Sequence, residues 1–322
     1  MKSVLISGLC IICSMLLIPI FAIKGNESPI ETGVRDETVK KETIVKAEKF
    51  KLLDTATNSI TEIKSSEYIF GVVAAEMPAL YETEALKAQA VAAYTFALYR
   101  KNEAEKNGRE YDISTDHKTD QSFITRAAAR EKWGEKADEY EQKIENAILS
   151  VQGLALTYDK EAILSVYHAI SSGVTEESKN VWGTHLPYLV SVDSSGDKLA
   201  ETYLSVNSFS AEDLKAKLSH LADTSGDNNI FSNPKTSDAG TVTEIDINGK
   251  TVSGFAVSEA LELRSSSFQV SFADGMYTFI VRGYGHGVGM SQNGANLMAK
   301  EGKNMEEILA HYYQNSKLIE TN

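Results

Sequence analysis

Residues 71–93 read GVVAAEMPALYETEALKAQAVAA, and the break at the middle of this stretch decides how the fold is read. On its N-terminal side Tyr68, Ile69, Val72, Val73 and Glu76 recur at helical spacing, with Ser66 as the expected N-cap. Pro78 ends that helix, because the proline ring pushes the preceding residue out of helical geometry. On the C-terminal side a second helix is expected from Thr83, with Leu86, Ala90, Ala93 and Ala97 along one face. The small residues there let another element approach closely.

Working outward, a helix is predicted over 139–151, closed by Gly153. Apolar runs then shorten to strand length at 155–158, 163–168, 189–192, 241–247, 268–272 and 277–281. Helices are expected again at 211–218, 254–261, 292–300 and 305–313. Helices early and strands later, without regular alternation, indicate an α+β fold. A helical N-terminal part of the core would pack on a mixed or antiparallel strand-rich part. No internal repeat or low-complexity tract interrupts the pattern.

Upstream, residues 4–23 (VLISGLCIICSMLLIPIFAI) carry no formal charge. A helix of that length spans about 30 Å, the thickness of a bilayer core. Lys2 precedes the run, and Glu27 and Glu31 follow it, which sets the start inside and the remainder outside the cytoplasm. The expectation is one N-terminal transmembrane helix (1–23), with a cleaved signal ending at Ala22 as the alternative. Residues 24–63 are polar and charge-mixed and read as a tether or weakly ordered strand region. The main domain covers 64–318, on the extracytoplasmic side of the cell membrane.

The net charge of −13 gives no general affinity for polyanions, so nucleic-acid binding is not expected. The two cysteines, Cys10 and Cys13, both lie in the apolar run. The main domain therefore has no disulfide, thiolate chemistry or cysteine zinc site.

Three segments can carry chemistry. Glu76 is a lone carboxylate in an apolar, small-residue context at a helix C-terminus. Burial and the negative end of the helix dipole both raise its pKa, which suits a general acid. The alternative is a solvated glutamate at a helix end. The second segment, HAISSGVTEESKNVW (168–182), places His168 at a strand end before a loop with Ser171, Ser172 and Thr175. Such hydroxyls and amides suit sugars, although an ordinary turn uses the same residues. The third, GYGHGVGMSQNGA (283–295), has glycine at alternate positions, so one face of an extended segment is bare and another chain or a ligand approaches closely. Ser291 caps the helix after it. It is not a phosphate loop, because the terminal Lys-Ser/Thr is missing. Asp116, His117 and Asp120 cluster on one loop, a weak metal signature better read as a solvated turn. No metal or other cofactor is expected.

Taken in order, AAEMP…EALKAQAVAA, the stretch from Asp112 to Gln121, H-x-x-S-x-G-x-T from His168, VWG…PYL and GHGVGMSQ-x-GA resemble the stage II sporulation protein D family. The resemblance runs from about Glu67 to Tyr313. It implies a lytic transglycosylase that cleaves peptidoglycan glycan strands between N-acetylmuramic acid and N-acetylglucosamine during engulfment, with Glu76 as catalyst. It also implies a place at the sporulation septum. The implied partners are a sporulation amidase/endopeptidase and a multispanning membrane protein. The expected substrate-binding residues are Tyr94, which would stack on a sugar face, with His168, Ser171, Ser172, Thr175, Tyr188, His286 and Ser291. Relatives with the same domain are described as amidase enhancers, so the alternative is a non-catalytic glycan-binding enhancer of a partner amidase. Family members often carry Arg at the position of Tyr94 and Lys at that of Val190, and both are uncharged here.

Overall fold

The computed structural model describes residues 44–225 and 229–322. The expected membrane span and the first part of the tether lie outside them. Among the described residues no helix is long and apolar enough to cross a membrane.

The last part of the expected tether is strand. β1 (Lys49–Asp54) and β2 (Ser59–Lys64) pair antiparallel, with Leu53 opposite Ile60, around a turn in which Asn58 is left-handed (φ 53°). Lys49, Lys51 and Glu62 face outward and dominate the composition, while Phe50 and Leu52 turn into the core.

α1 (Ser65–Glu76) follows directly, two residues earlier than an N-cap at Ser66 would place it. Lys64 holds the cap position without a side-chain bond, and the Ser65 hydroxyl donates to Ala47 O at 2.5 Å. The residues from Tyr68 to Ala74 are all buried, so α1 is surrounded rather than amphipathic. α2 (Thr83–Asn107) crosses the centre of the domain and ends at the left-handed Gly108. Its buried alanines at 85, 88, 90, 92, 93 and 97 let several elements reach the helix axis. β3 (Ile113–Ser114) pairs parallel with β1. α3 (Arg126–Trp133) and α4 (Ala137–Ser150) complete the helical layer. Arg126 ties it together through Glu67, Glu141 and Glu145, with its guanidinium 3.9 Å above the Phe70 ring.

β4 (Leu154–Tyr158) and β5 (Glu161–Ala162) are followed by β6 (Tyr167–His168) and α5 (Ser178–Trp182). Of the strand expected over 163–168, only β6 forms. Residues 189–192 are irregular: Leu189 O and Val192 O accept from Ser178 N and Thr175 N, so a buried apolar run is satisfied by a loop.

A second hydrophobic core gathers around Leu214, Ile245, Val257, Tyr277 and Phe279. It is built from β7 (Leu204–Ser210), α6 (Ala211–Leu218), β8 (Phe231–Thr236), β9 (Val242–Ile247), β10 (Lys250–Ser253), α7 (Gly254–Ala260), β11 (Phe268–Ala273) and β12 (Met276–Arg282). Two antiparallel sheets result, ordered β11-β12-β7 and β10-β9-β8. The chain then returns through β13 (Met290–Ser291), α8 (Gln292–Lys300), α9 (Met305–Tyr312) and β14 (Lys317–Glu320), the last closing a β14-β4-β5 sheet. The fold is α+β, and the described residues form one compact unit.

The return path corrects one expectation. Gly283, Gly285, Gly287 and Gly289 all have positive φ, between 74° and 105°, so the segment winds rather than extends. The close approach itself is there. A Cβ on Gly283, Gly285 or Gly289 would lie 2.7 Å from Ile170 O, 2.8 Å from His168 Cβ or 2.1 Å from Val166 O. What packs against the glycines is therefore the protein's own 166–171 segment, paired in parallel through β6 and β13.

Candidate active site

Glu76 is the last residue of α1 and is half-buried. Its Oε1 accepts the backbone N–H of Ser122 at 2.8 Å. Burial raises its pKa above the usual carboxylate value; hydrogen bonds from the Ser122 amide and hydroxyl and from Gln292, and the nearby His117, oppose that rise without cancelling it. The direction of that shift is the one a general acid requires.

Gly71, one and a half turns upstream, brings Ser122 into reach. A Cβ there would sit 2.3 Å from the Phe123 ring and 2.5 Å from Ile124 O, so only glycine lets the 122–124 segment lie against α1. From the other side the segment is fixed by Asp120. Its Oδ2 accepts Ser114 N (3.0 Å) and Ser114 Oγ (2.6 Å), and its Oδ1 accepts Arg100 Nε (2.7 Å). Asp112 accepts Lys51 N at 2.9 Å. The acidic stretch 112–121 is therefore a brace that aims the Ser122 amide. Asp116 caps its own turn through Lys118 N. No group of three or more potential metal-ligating side chains occurs among the described residues.

Tyr68 and Tyr167 lie close enough to feel the charge of Glu76. Gln292, at the start of α8, donates from Nε2 to Gln89 Oε1 at 3.3 Å, and both are buried. Gln121 accepts from the Tyr68 hydroxyl (3.1 Å) and donates to the Tyr167 hydroxyl (2.8 Å). Burial pushes both tyrosines up, so their hydroxyls stay protonated. The sequence reading assigns no site role to Ser122, Gln292, Gln121, Tyr68 or Tyr167. Gln292 stood beside the Ser291 cap; Ser122 contributes a backbone group, which leaves no side-chain signature.

The expected substrate-binding residues are mostly placed elsewhere. Alternation along β6 sends Tyr167 toward Gln121 and His168 to the opposite face. There His168 is buried, and its Nδ1 donates to Val288 O at 3.1 Å, which leaves Nε2 as an acceptor without a partner among the described residues. Burial lowers its pKa to about 4 and that of His286 to about 3, so both rings are neutral. The rings lie 5.8 Å apart, with Trp182 5.4 Å from His286. His286 and Ser172 border a small polar cavity of about 100 Å³ whose lining does not include Glu76.

Several hydroxyls expected to meet sugar hold backbone instead. Ser171 Oγ accepts Gly173 N (3.0 Å), Ser172 Oγ donates to Ala239 O (2.5 Å) and Thr175 Oγ1 accepts Val192 N (2.9 Å). Tyr188 accepts Leu164 N (3.3 Å), and Ser291 accepts Gly294 N (3.1 Å) as the cap of α8. Tyr94, expected to stack on a sugar, is buried and accepts Ala47 N at 3.0 Å. Buried polar groups need partners, and the polypeptide already provides them here. Asp197 does the same for the 168–175 loop: it is buried and accepts Ser171 N (2.9 Å), Ser194 Oγ (2.9 Å) and Asn293 Nδ2 (2.9 Å).

Comparison with known proteins bears on this arrangement. A family model described as "Stage II sporulation protein" matches residues 54–158, which include Glu76, Gln89 and the 112–122 brace. The stage II sporulation protein D of Bacillus amyloliquefaciens is 34% identical over 98% of this chain and 95% of its own length. That of Bacillus subtilis is 37% identical over 83% of this chain and 77% of its own length. A Bacillus subtilis protein named amidase enhancer is 24% identical over 77% of this chain, which spans 40% of that protein.

Proposed function

The chain belongs to the stage II sporulation protein D family, and from that premise we propose that it cleaves peptidoglycan glycan strands as a lytic transglycosylase, with Glu76 as its acid and base. The observation that carries this reading is the placement of Glu76, with its Oε1 on the fixed Ser122 amide in surroundings whose burial raises its proton affinity.

In this reading the protonated Glu76 donates to the glycosidic oxygen between N-acetylmuramic acid and N-acetylglucosamine as the bond from C1 breaks. The positive charge developing on the sugar ring is quenched by the muramic C6 oxygen. A new C1–O6 bond forms, and the C6 hydroxyl proton passes to the Glu76 carboxylate, which returns to its starting state. No water is consumed, so no second carboxylate is needed to activate one, unlike glycoside hydrolysis by a carboxylate pair. The Ser122 amide stabilises the anion that exists between the two proton transfers. The domain works outside the cytoplasm, anchored through residues 1–23, beside an amidase/endopeptidase and a multispanning membrane protein.

The test is product analysis. Full-length protein incubated with glycan strands stripped of stem peptides gives 1,6-anhydro-ended fragments by mass spectrometry, and Glu76→Gln gives none. A second reading, a glycan-binding enhancer of a partner amidase, is favoured by the likeness to the amidase enhancer. It is the correct one if neither protein makes anhydro ends and both stimulate an amidase equally.

A further inference from the structure

We propose that the cavity beside Tyr94 is a separate ligand site and that its ligand is an aliphatic carboxylate. The cavity holds about 300 Å³, the lower end of the roughly 300–1,000 Å³ over which small-molecule sites range. It lies among the start of β1, the first turns of α1, the middle of α2 and the end of α4. Glu76 does not line it, so this site stands or falls independently of the proposed cleavage.

Its floor is apolar and buried, formed by Ile69, Ala90, Ile148 and Val151. Its rim is cationic. Lys46, Lys49 and Lys64 line the cavity, with Glu48 as the one acid among its lining residues. That local excess is opposite in sign to the net charge of −13 on the chain.

Lys46 is held by Glu48 at 2.8 Å, and Lys49 by Glu62 at 2.9 Å. Lys64, Ser66 and Gln152 have no side-chain partner among the described residues. An ammonium, a hydroxyl and an amide, all able to donate, therefore surround an apolar floor. A ligand with an aliphatic body and a carboxylate head fills the floor and accepts from all three. An amine would face the lysines; a neutral amide would lose the charge-assisted bond. A short fatty acid and the C-terminal end of a small peptide share this chemistry.

The experiment is calorimetric titration of the full chain with hexanoate, N-acetyl-alanyl-alanine, hexanamide and hexylamine. Saturable binding of hexanoate or of the dipeptide is expected, and the tighter of the two identifies the source as lipid-like or peptide-like. Lys64→Glu should weaken binding roughly tenfold, since it removes one exposed attraction and adds a repulsion; Lys64→Gln should weaken it less. Raised salt should weaken it as well. The proposal is overturned if neither carboxylate binds, or if hexanamide binds as tightly as hexanoate. It is equally overturned if both Lys64 variants, melting like wild type, keep wild-type affinity.

Discussion

The backbone N–H of Ser122 points at Oε1 of Glu76 across 2.8 Å. The segment carrying that amide is held against α1 at Gly71, whose carbonyl accepts Ile124 N at 3.3 Å. The proton affinity of the carboxyl is therefore set by backbone packing more than a turn away, as well as by its own surroundings.

Gly71→Ala tests that dependence. The new methyl collides with the Phe123 ring and Ile124 O, and overpacking of this kind costs about 1–3 kcal/mol. Urea unfolding should show the loss. Displacing Ser122 also removes a bond to the carboxylate, so the Glu76 carboxyl should titrate at higher pH than in wild type.

Gln292→Leu removes a nearby side-chain amide that holds the Glu76 pKa down, while keeping a buried side chain of similar size. The Glu76 pKa should rise further, because the hydrogen bond from Gln292 opposes the effect of burial. The alkaline limb of glycan cleavage should move upward with it. Gln89→Leu, which removes the acceptor that orients Gln292, should shift the limb in the same direction by less.

Glu76→Gln has a consequence for stability whose sign follows from the raised pKa. In wild type the unfolded chain gives up this proton more readily than the folded one, so stability declines as pH rises through the folded-state pKa. Glutamine does not titrate. Thermal unfolding should find the variant more stable than wild type at neutral pH, with the gap closing as pH falls below the ordinary glutamate range.

Asp197→Ala leaves Ser171 N, Ser194 Oγ and Asn293 Nδ2 without their acceptor in a buried setting. Unpaired buried donors cost about 1–3 kcal/mol each. Chemical denaturation should therefore show a loss of about 3 kcal/mol or more.

The sequence made some of this legible for identifiable reasons. The apolar run ending at Pro78 located α1 and its terminal carboxylate, and Ser291 located the start of α8, because caps and prolines act locally. The hairpin at 49–64 was hidden because only Phe50 and Leu52 of β1 are deeply buried. That the hydroxyls of Ser171, Ser172 and Thr175 hold backbone was not legible, because sequence does not say which backbone group a hydroxyl meets. The alternating glycines announced a close approach but not its partner, since the 166–171 segment is more than a hundred residues away in the chain. Ser122 left no trace, because its backbone amide is a group that every residue except proline has.

The most direct measurement is the pH titration of the Glu76 side-chain carboxyl by ¹³C NMR in full-length protein, assigned against Glu76→Gln. The account predicts a midpoint clearly above that of the exposed glutamates, moving upward in Gly71→Ala and in Gln292→Leu. A midpoint at or below the ordinary glutamate value, unmoved by either substitution, would contradict it.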